Sequence, residues 1–189
     1  SYFVIVAHGN PNWIADAAFL WLPEKPDNGV VTFERSYNSA EGYNTKSIGE
    51  GTHSEGWYTI AAGRYAHAEG ESGKAFAINS HVEGYGGLAI GASSHVEGSN
   101  CEASGHSAHA EGNNTFATGK GSHSEGFGTE ASNEFAHAEG RDTTASGRYS
   151  HAEGLRTSAT ADSAHAEGDF TAATTYCAHA EGWSTEAKG

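Results

Sequence analysis

A four-residue motif, His-x-Glu-Gly, recurs every 14 residues and constrains the fold more than any other feature of the chain. The motif occurs ten times in unbroken register, and an eleventh unit begins at Ser39, where serine replaces the histidine. So regular a period indicates a solenoid, in which each unit forms one coil and buries its core against neighbouring coils. The ten histidine–glutamate pairs of the motif are His53 and Glu55, His67 and Glu69, His81 and Glu83, His95 and Glu97, His109 and Glu111, His123 and Glu125, His137 and Glu139, His151 and Glu153, His165 and Glu167, and His179 and Glu181.

Each unit repeats the same internal pattern when its residues are numbered from the histidine as position one. Position two is Ala, Val or Ser, and positions three and four are Glu and Gly in every unit. Position seven is mostly Thr, and position nine is Ala except at Ser47. Position fourteen is always Ser, Ala or Thr, and position eleven is often Gly. The other positions vary freely.

This pattern predicts two short strands in each coil. The first runs from position fourteen of one unit to position three of the next and ends at the Gly of position four. The second covers positions seven to ten and ends near the Gly of position eleven, and both glycines can adopt positive φ angles at the corners. Side chains alternate between the two faces of a strand, so positions two, seven, nine and fourteen should face the core. The motif His and Glu then share the outer face.

The composition limits both the core and the partners. Apolar residues make up 37% of the 189 residues, and much of this share is Ala, so the core must consist of small side chains. A net charge of −14 with low hydrophobicity is typical of disordered chains, but the strict period argues against disorder. The same charge disfavours binding to nucleic acid or to anionic lipid. No apolar run reaches about eighteen residues, so we expect no membrane insertion of this chain.

The motif also carries a family resemblance. It reads Ser-His-Ala-Glu-Gly at residues 150–154 and Thr-x-Ala-x-Gly at residues 143–147. These sequences resemble the YadA-like head repeats of trimeric autotransporter adhesins, and more closely the variant found in tail fibre and tail-spike proteins of phages and prophages. The resemblance covers residues 39–189. Adhesin heads usually carry apolar residues, as in Ser-Val-Ala-Ile-Gly, where this chain has His and Glu, so ligand binding tied to the apolar form, such as collagen binding, is not implied.

The resemblance implies an all-β fold, a left-handed parallel β-roll of eleven coils over residues 39–189, wound side by side in a homotrimer. It further implies an extracellular location, on a virion tail or a bacterial cell surface, and attachment to a glycan or protein receptor on a host surface. Oligomerisation is also expected because a coil of 14 residues buries little surface of its own.

The stacked His and Glu columns allow three interpretations. In the first, His and Glu pair in a ladder along the subunit interface of the trimer and fix the register between chains. In the second, they form a solvated polar stripe. In the third, they bind a transition metal, although ten equivalent sites would be unusual for a dedicated metalloprotein, and we expect no metal and no cofactor. Catalysis by the carboxylates is disfavoured because acid–base chemistry needs two carboxyl groups in different environments.

Pairing would also set a pH dependence. If His and Glu pair in the assembly, the pKa of each His should rise and the pKa of each Glu should fall. Stability derived from His would then be lost as the pH rises, and stability derived from Glu as it falls.

Residues 1–38 differ in kind from the repeats and predict a small α+β cap over the solenoid end. Strands are expected at Tyr2–Val6 and Val30–Phe33, a helix over residues 12–22, and a turn at residues 26–29. The alternative is a receptor-binding or connecting module. In that case Trp13 and Trp21 would stack on sugars, and Trp57 and Trp183 in the repeats are further candidates for ligand contact.

Three classes of function follow. The leading one is a structural and adhesive fibre module without enzymatic activity. The second is ice binding through the Thr column of position seven, which fails if that column faces inward. The third is the non-catalytic stem of a polysaccharide-degrading tail spike. Cys101 and Cys177 lie more than about 20 Å apart along such a stack, which excludes a disulfide between them.

Overall fold

A computed structural model describes the strands Tyr2–Ala7 and Ala17–Leu22 together with residues 38–188. Residues 39–187 form a parallel β-solenoid with two sheets of 11 strands each. Each strand pairs with the strand one repeat away, so that equal positions lie side by side, as for His95 and His109 or Ala89 and Ala103. The expected solenoid of 14-residue coils is confirmed, and the register runs without an insertion from the first coil to the last.

The two sheets differ in strand length. The His sheet, which carries the motif, consists of Ser39–Tyr43, His53–Trp57, His67–Ala68, His81–Val82, His95–Ser99, His109–Asn113, His123–Phe127, His137–Arg141, His151–Leu155, His165–Asp169 and His179–Trp183. The Ala sheet, which carries position nine, consists of Lys46–Ser47, Ile60–Ala61, Lys74–Ala75, Leu88–Ala89, Glu102–Ala103, Phe116–Ala117, Glu130–Ala131, Thr144–Ala145, Ser158–Ala159, Ala172–Ala173 and Glu186–Ala187.

The core consists of positions two, seven, nine and fourteen, as the alternation predicts. Almost every residue at these positions is buried in the middle coils, and the largest fully buried side chains are Val82 and Val96. The Val residues of position two lie against Gly residues of position seven: a Cβ added to Gly87 would lie 2.8 Å from Cγ1 of Val82 and 2.9 Å from Cγ1 of Val96. The narrow interior therefore has a fixed volume that these positions share.

Several buried hydroxyl groups pair with one another or with the backbone. When position two is Ser, it pairs with the Thr of position seven, as in Ser124 and Thr129 with oxygens 2.7 Å apart. Most serines of position fourteen donate to the carbonyl oxygen of position eleven, as Ser122 does to Gly119 at 2.7 Å. These contacts satisfy part of the polar core. The buried hydroxyl oxygens without a hydrogen bond in the described residues are those of Ser94, Thr115, Thr143, Thr157 and Thr171.

The strand boundaries differ from the sequence prediction. Most strands of the His sheet begin at position one and continue through position five, whereas those of the Ala sheet cover only positions eight and nine. The Gly of position four therefore lies within the strand: it has φ between +94° and +117° in the ten coils from Gly42 to Gly168, and an added Cβ would overlap the carbonyl oxygen of the equivalent Gly one coil away.

The corners are made by other residues. Positions six and thirteen have positive φ in every described coil, although only Gly51, Gly86, Gly121 and Gly128 among them are glycines. The Gly of position eleven does not have a positive φ and is instead held by close approach of the backbone, as at Gly105, where a Cβ would overlap the carbonyl of Gly119. The prediction of positive φ at position eleven is wrong because the turn places its left-handed residue two positions later.

The N-terminal segment forms an antiparallel hairpin between Tyr2–Ala7 and Ala17–Leu22, in which Phe3 pairs with Trp21. The expected first strand is confirmed. The expected helix is wrong over Ala17–Leu22, because this apolar run pairs with the equally apolar first strand instead of coiling on itself. Trp13, the turn at 26–29 and the strand expected at 30–33 lie outside the described residues. Within the described part of the chain, no helix is long and apolar enough to span a membrane.

Candidate functional site

The most regular surface feature is a column of ten histidines on the outer face of the His sheet. Parallel in-register pairing sets each imidazole above the previous one, with ring centroids 4.7–4.8 Å apart along the whole column. From His67 to His179 the rings are nearly parallel, with interplanar angles of 25° or less. His53 meets His67 edge-on at 76°. The column is therefore a continuous stack of imidazoles.

Each histidine faces the glutamate two residues later on the same strand, because residues i and i+2 share one face. Nε2 of the His lies 3.2–3.8 Å from Oε2 of its Glu in nine of the ten coils, the exception being His95 and Glu97. Only the pair His53 and Glu55, at 3.2 Å, also meets hydrogen-bond geometry. The structure thus brings nine of the ten predicted pairs together within a single chain.

The column is only partly exposed. In the coils from His53 to His165 the paired His side chains are 34–39% exposed. Nε2 itself is buried and makes no hydrogen bond in the described residues at His67, His81, His95, His109, His123, His137, His151 and His165. Buried nitrogens without a well-directed partner are unusual in a finished fold. In the single chain, these eight imidazole nitrogens therefore lack a well-directed hydrogen bond.

The surroundings of three histidines of the column favour their neutral form. The pKa values of His81, His109 and His137 are lowered, first because burial disfavours the imidazolium form and second because the imidazoles above and below would repel it. The neighbouring glutamates raise these pKa values, but by less. The single chain therefore lowers the pKa of these three residues, and the rise expected on pairing in the assembly stays a prediction.

Five groups of three side chains place possible ligand atoms within 4.8 Å of one another. A zinc ion binds imidazole nitrogen at about 2.0–2.1 Å, so two ligating nitrogens must lie within about 4.2 Å and both lone pairs must point at the ion. Parallel rings stacked at 4.7–4.8 Å direct their in-plane lone pairs along parallel lines, which do not meet. The groups are His81, Glu83 and His95; His95, Glu97 and His109; His109, Glu111 and His123; His137, Glu139 and His151; and Glu167, His179 and Glu181.

A second feature is a cluster of three aromatic rings where the His sheet begins. Ring centroids are 5.0 Å apart for Tyr43 and Trp57, 5.5 Å for Tyr43 and Tyr58, and 6.0 Å for Trp57 and Tyr58. All three rings are about half exposed. Trp183 is the other tryptophan of the repeats that was predicted to contact a ligand. It lies in the last coil, 140 residues after Tyr43 in the sequence, and its side chain is 75% exposed. For Trp21 the structure describes only its place in the hairpin.

A ladder of charged and aromatic residues, not predicted from the sequence, lies farther along the same corner. The guanidinium of Arg141 lies over the ring of Phe127 at 5.6 Å, and that of Arg156 over Phe170 at 5.1 Å. Both arginines also approach Oδ2 of Asp142, at 3.5 and 3.8 Å. The signal was available, because positions five and six of successive coils must be neighbours in a parallel stack.

No family model matches the chain, and no curated protein matches it.

Proposed function

We propose that this chain is the rod of an extracellular attachment fibre, a homotrimeric module of a phage tail fibre or a bacterial surface adhesin that holds or carries a receptor-binding function. The observation that carries the proposal is the unbroken register of eleven coils, because it makes a rod of roughly 50 Å at ~4.8 Å per coil. The left-handed winding and the trimer that the repeat resemblance implies are parts of this proposal.

The His–Glu face is the proposed interface between copies. A glutamate column repels itself at ~4.8 Å spacing, and the buried Nε2 atoms beside it lack hydrogen bonds. A second copy laid along this face would remove water from the ladder, and the lower local dielectric would strengthen each His–Glu contact. The core of Ala, Ser and Thr gives a single coil little to hold it together, so association supplies stability that the lone chain lacks.

Two alternatives receive less support. Ice binding depended on the Thr column of position seven, and Thr59, Thr115, Thr129 and Thr143 are buried in the core. An enzymatic role would need a site that differs from its surroundings, whereas the repeat gives each carboxylate of the ladder the same neighbours. We therefore propose that the rod is not catalytic.

Absolute mass by light scattering at neutral pH tests the trimer, with three times 19.7 kDa expected. The double variant Glu111→Lys, Glu125→Lys places new charges in the proposed interface. Its control, Glu102→Lys, Glu130→Lys, makes the same charge change at position eight of the Ala sheet. We expect the first variant to dissociate and the second to remain trimeric, with both keeping the β circular dichroism of the wild type. A monomeric wild type, or equal behaviour of the two variants, would remove the interface proposal.

A further inference from the structure

We propose that Tyr43, Trp57 and Tyr58 form a binding platform for a neutral saccharide, a site that deepens the attachment role proposed above and rests on it. Parallel pairing places Tyr43 directly beside Trp57, both at position five of neighbouring coils. Tyr58 follows at position six, so three rings converge on one corner of the first two coils.

The backbone holds the platform in place. Tyr58 has φ +57°, a left-handed conformation that a bulky residue rarely adopts, and most other coils carry Asn, Ser, Asp or Gly at this position. Its amide donates a hydrogen bond of 2.8 Å to the carbonyl oxygen of Tyr43, which fixes the corner. A ring presented from such a rigid corner loses little freedom on binding a ligand.

The geometry favours a flat ligand that stacks on the rings. The centroids lie 5.0–6.0 Å apart, which is direct ring-to-ring contact, and the ring planes are tilted by 40–76°, so a ligand can stack on the face of one ring and touch the others. An aromatic cage for a quaternary ammonium group would instead need rings far enough apart to enclose the cation. The apolar C–H face of a pyranose ring matches the face of one aromatic side chain, and the hydroxyl of Tyr58 can hydrogen-bond to a sugar hydroxyl.

The size of the platform also favours a saccharide over a protein. The exposed fractions are 55% for Tyr43, 53% for Trp57 and 47% for Tyr58. Aromatic side chains carry ~150–250 Å² each, so the platform offers roughly 300 Å², well below the ~800 Å² per partner of a standard protein interface. An oligosaccharide of a few units fits such an area.

The carboxylates near the platform favour a neutral sugar over an acidic one. Glu41 and Glu55 stand two positions before Tyr43 and Trp57 in the same strands, and Glu71 pairs with Trp57 in the next coil. These carboxylates would repel a sialic acid or a uronic acid. They can accept hydrogen bonds from the hydroxyl groups of a neutral sugar.

The test uses the full chain and isothermal titration with maltoheptaose, cellohexaose and chitohexaose, and an alginate oligosaccharide as the acidic probe. We expect at least one neutral probe to bind and the acidic probe not to bind. Trp57→Ala should weaken binding by ten-fold or more, whereas Trp57→Phe, which keeps a stacking ring, should weaken it less. Phe127→Ala is the matched control, because Phe127 is also a half-exposed aromatic residue at position five, and it should bind as the wild type does.

Absence of binding by all neutral probes up to about 10 mM would overturn the proposal, as would preferential binding of the acidic probe or an equal loss in both alanine variants. Light scattering on the same samples separates this inference from the proposed rod. A trimer that binds no saccharide rejects the platform alone, whereas a monomer that binds one rejects the fibre and keeps the platform.

Discussion

At the scale of single residues, the side chains of positions two and seven fill one common volume inside the solenoid. Val82 and Val96 extend into the space that the Thr of position seven occupies in other coils, and Gly73 and Gly87 leave that space open. This relation links side chains that are not adjacent in sequence, and it explains why the Thr column of position seven is interrupted where it is.

The volume relation predicts the effect of Gly87→Thr, which restores the commonest residue of position seven but places its Cβ against both valines. We expect a loss of about 1–3 kcal/mol in the free energy of unfolding, measured with urea, because the core is overpacked. Adding Val82→Ala and Val96→Ala should recover most of this loss, since the interior then matches the coils around Thr143. Additive effects of the three substitutions would contradict a shared volume.

The sequence predicts which residues point inward but not the conformation of the corners. Alternation along a strand is enough to place Ala, Thr and Ser in the core, and the structure agrees. Backbone φ at positions six and thirteen could not be predicted, because residues as different as Asn44, Tyr65 and Arg156 adopt the same left-handed angle there. Inter-coil hydrogen bonds impose that angle, as from the amide of Arg156 to the carbonyl of Arg141, and local propensity does not reveal them.

At the scale of the elements, the His column couples ten of the eleven strands of the His sheet to their neighbours through ring contacts. The sequence predicts both the column and its glutamates, because equal positions must align. The sequence does not predict the direction of the histidine pKa shifts. That direction depends on whether burial and repulsion between neighbouring rings outweigh the attraction of the carboxylates.

The lowered pKa values of His81, His109 and His137 predict loss of stability in acid. Below the ordinary pKa of about 6.5, the unfolded chain binds more protons than the folded one, so this stability is complete above that pH and is lost as the pH falls through the folded pKa. We expect the urea midpoint to decrease between pH 7 and pH 5, and to decrease less in His109→Gln. A midpoint that increases on acidification would show instead that carboxylate pairing dominates in the assembly.

The hairpin shows where an apolar pattern misleads. Residues 12–22 contain aromatic and aliphatic side chains at spacings that suit a helix face, yet Ala17–Leu22 is extended. A short apolar run fits either structure, and the partner strand Tyr2–Ala7 decides between them.

At the scale of the whole molecule, the solenoid is a one-dimensional array in which each coil contacts only its neighbours. Deletion of residues 109–122 removes one complete unit and joins Ala108 to His123, so every equal position still aligns. We expect this variant to fold, with a melting temperature close to that of the wild type. Deletion of residues 109–115 removes half a unit and places the Ala-sheet positions against the His sheet, so it should not give a cooperative transition. Equal stability of the two deletions would contradict the register described here.

The left-handed corner positions have a consequence for how such a molecule can change over time. The scaffold dictates their backbone angle but accepts Asn, Tyr, Arg, Phe, Ser or Asp there, so the chemical identity of the group is uncoupled from folding. Each coil therefore presents variable side chains at its corners, repeated every ~4.8 Å along the rod. Point substitutions at these positions can change the surface of the rod while the fold stays the same. A chain of this kind can alter what it recognises one coil at a time.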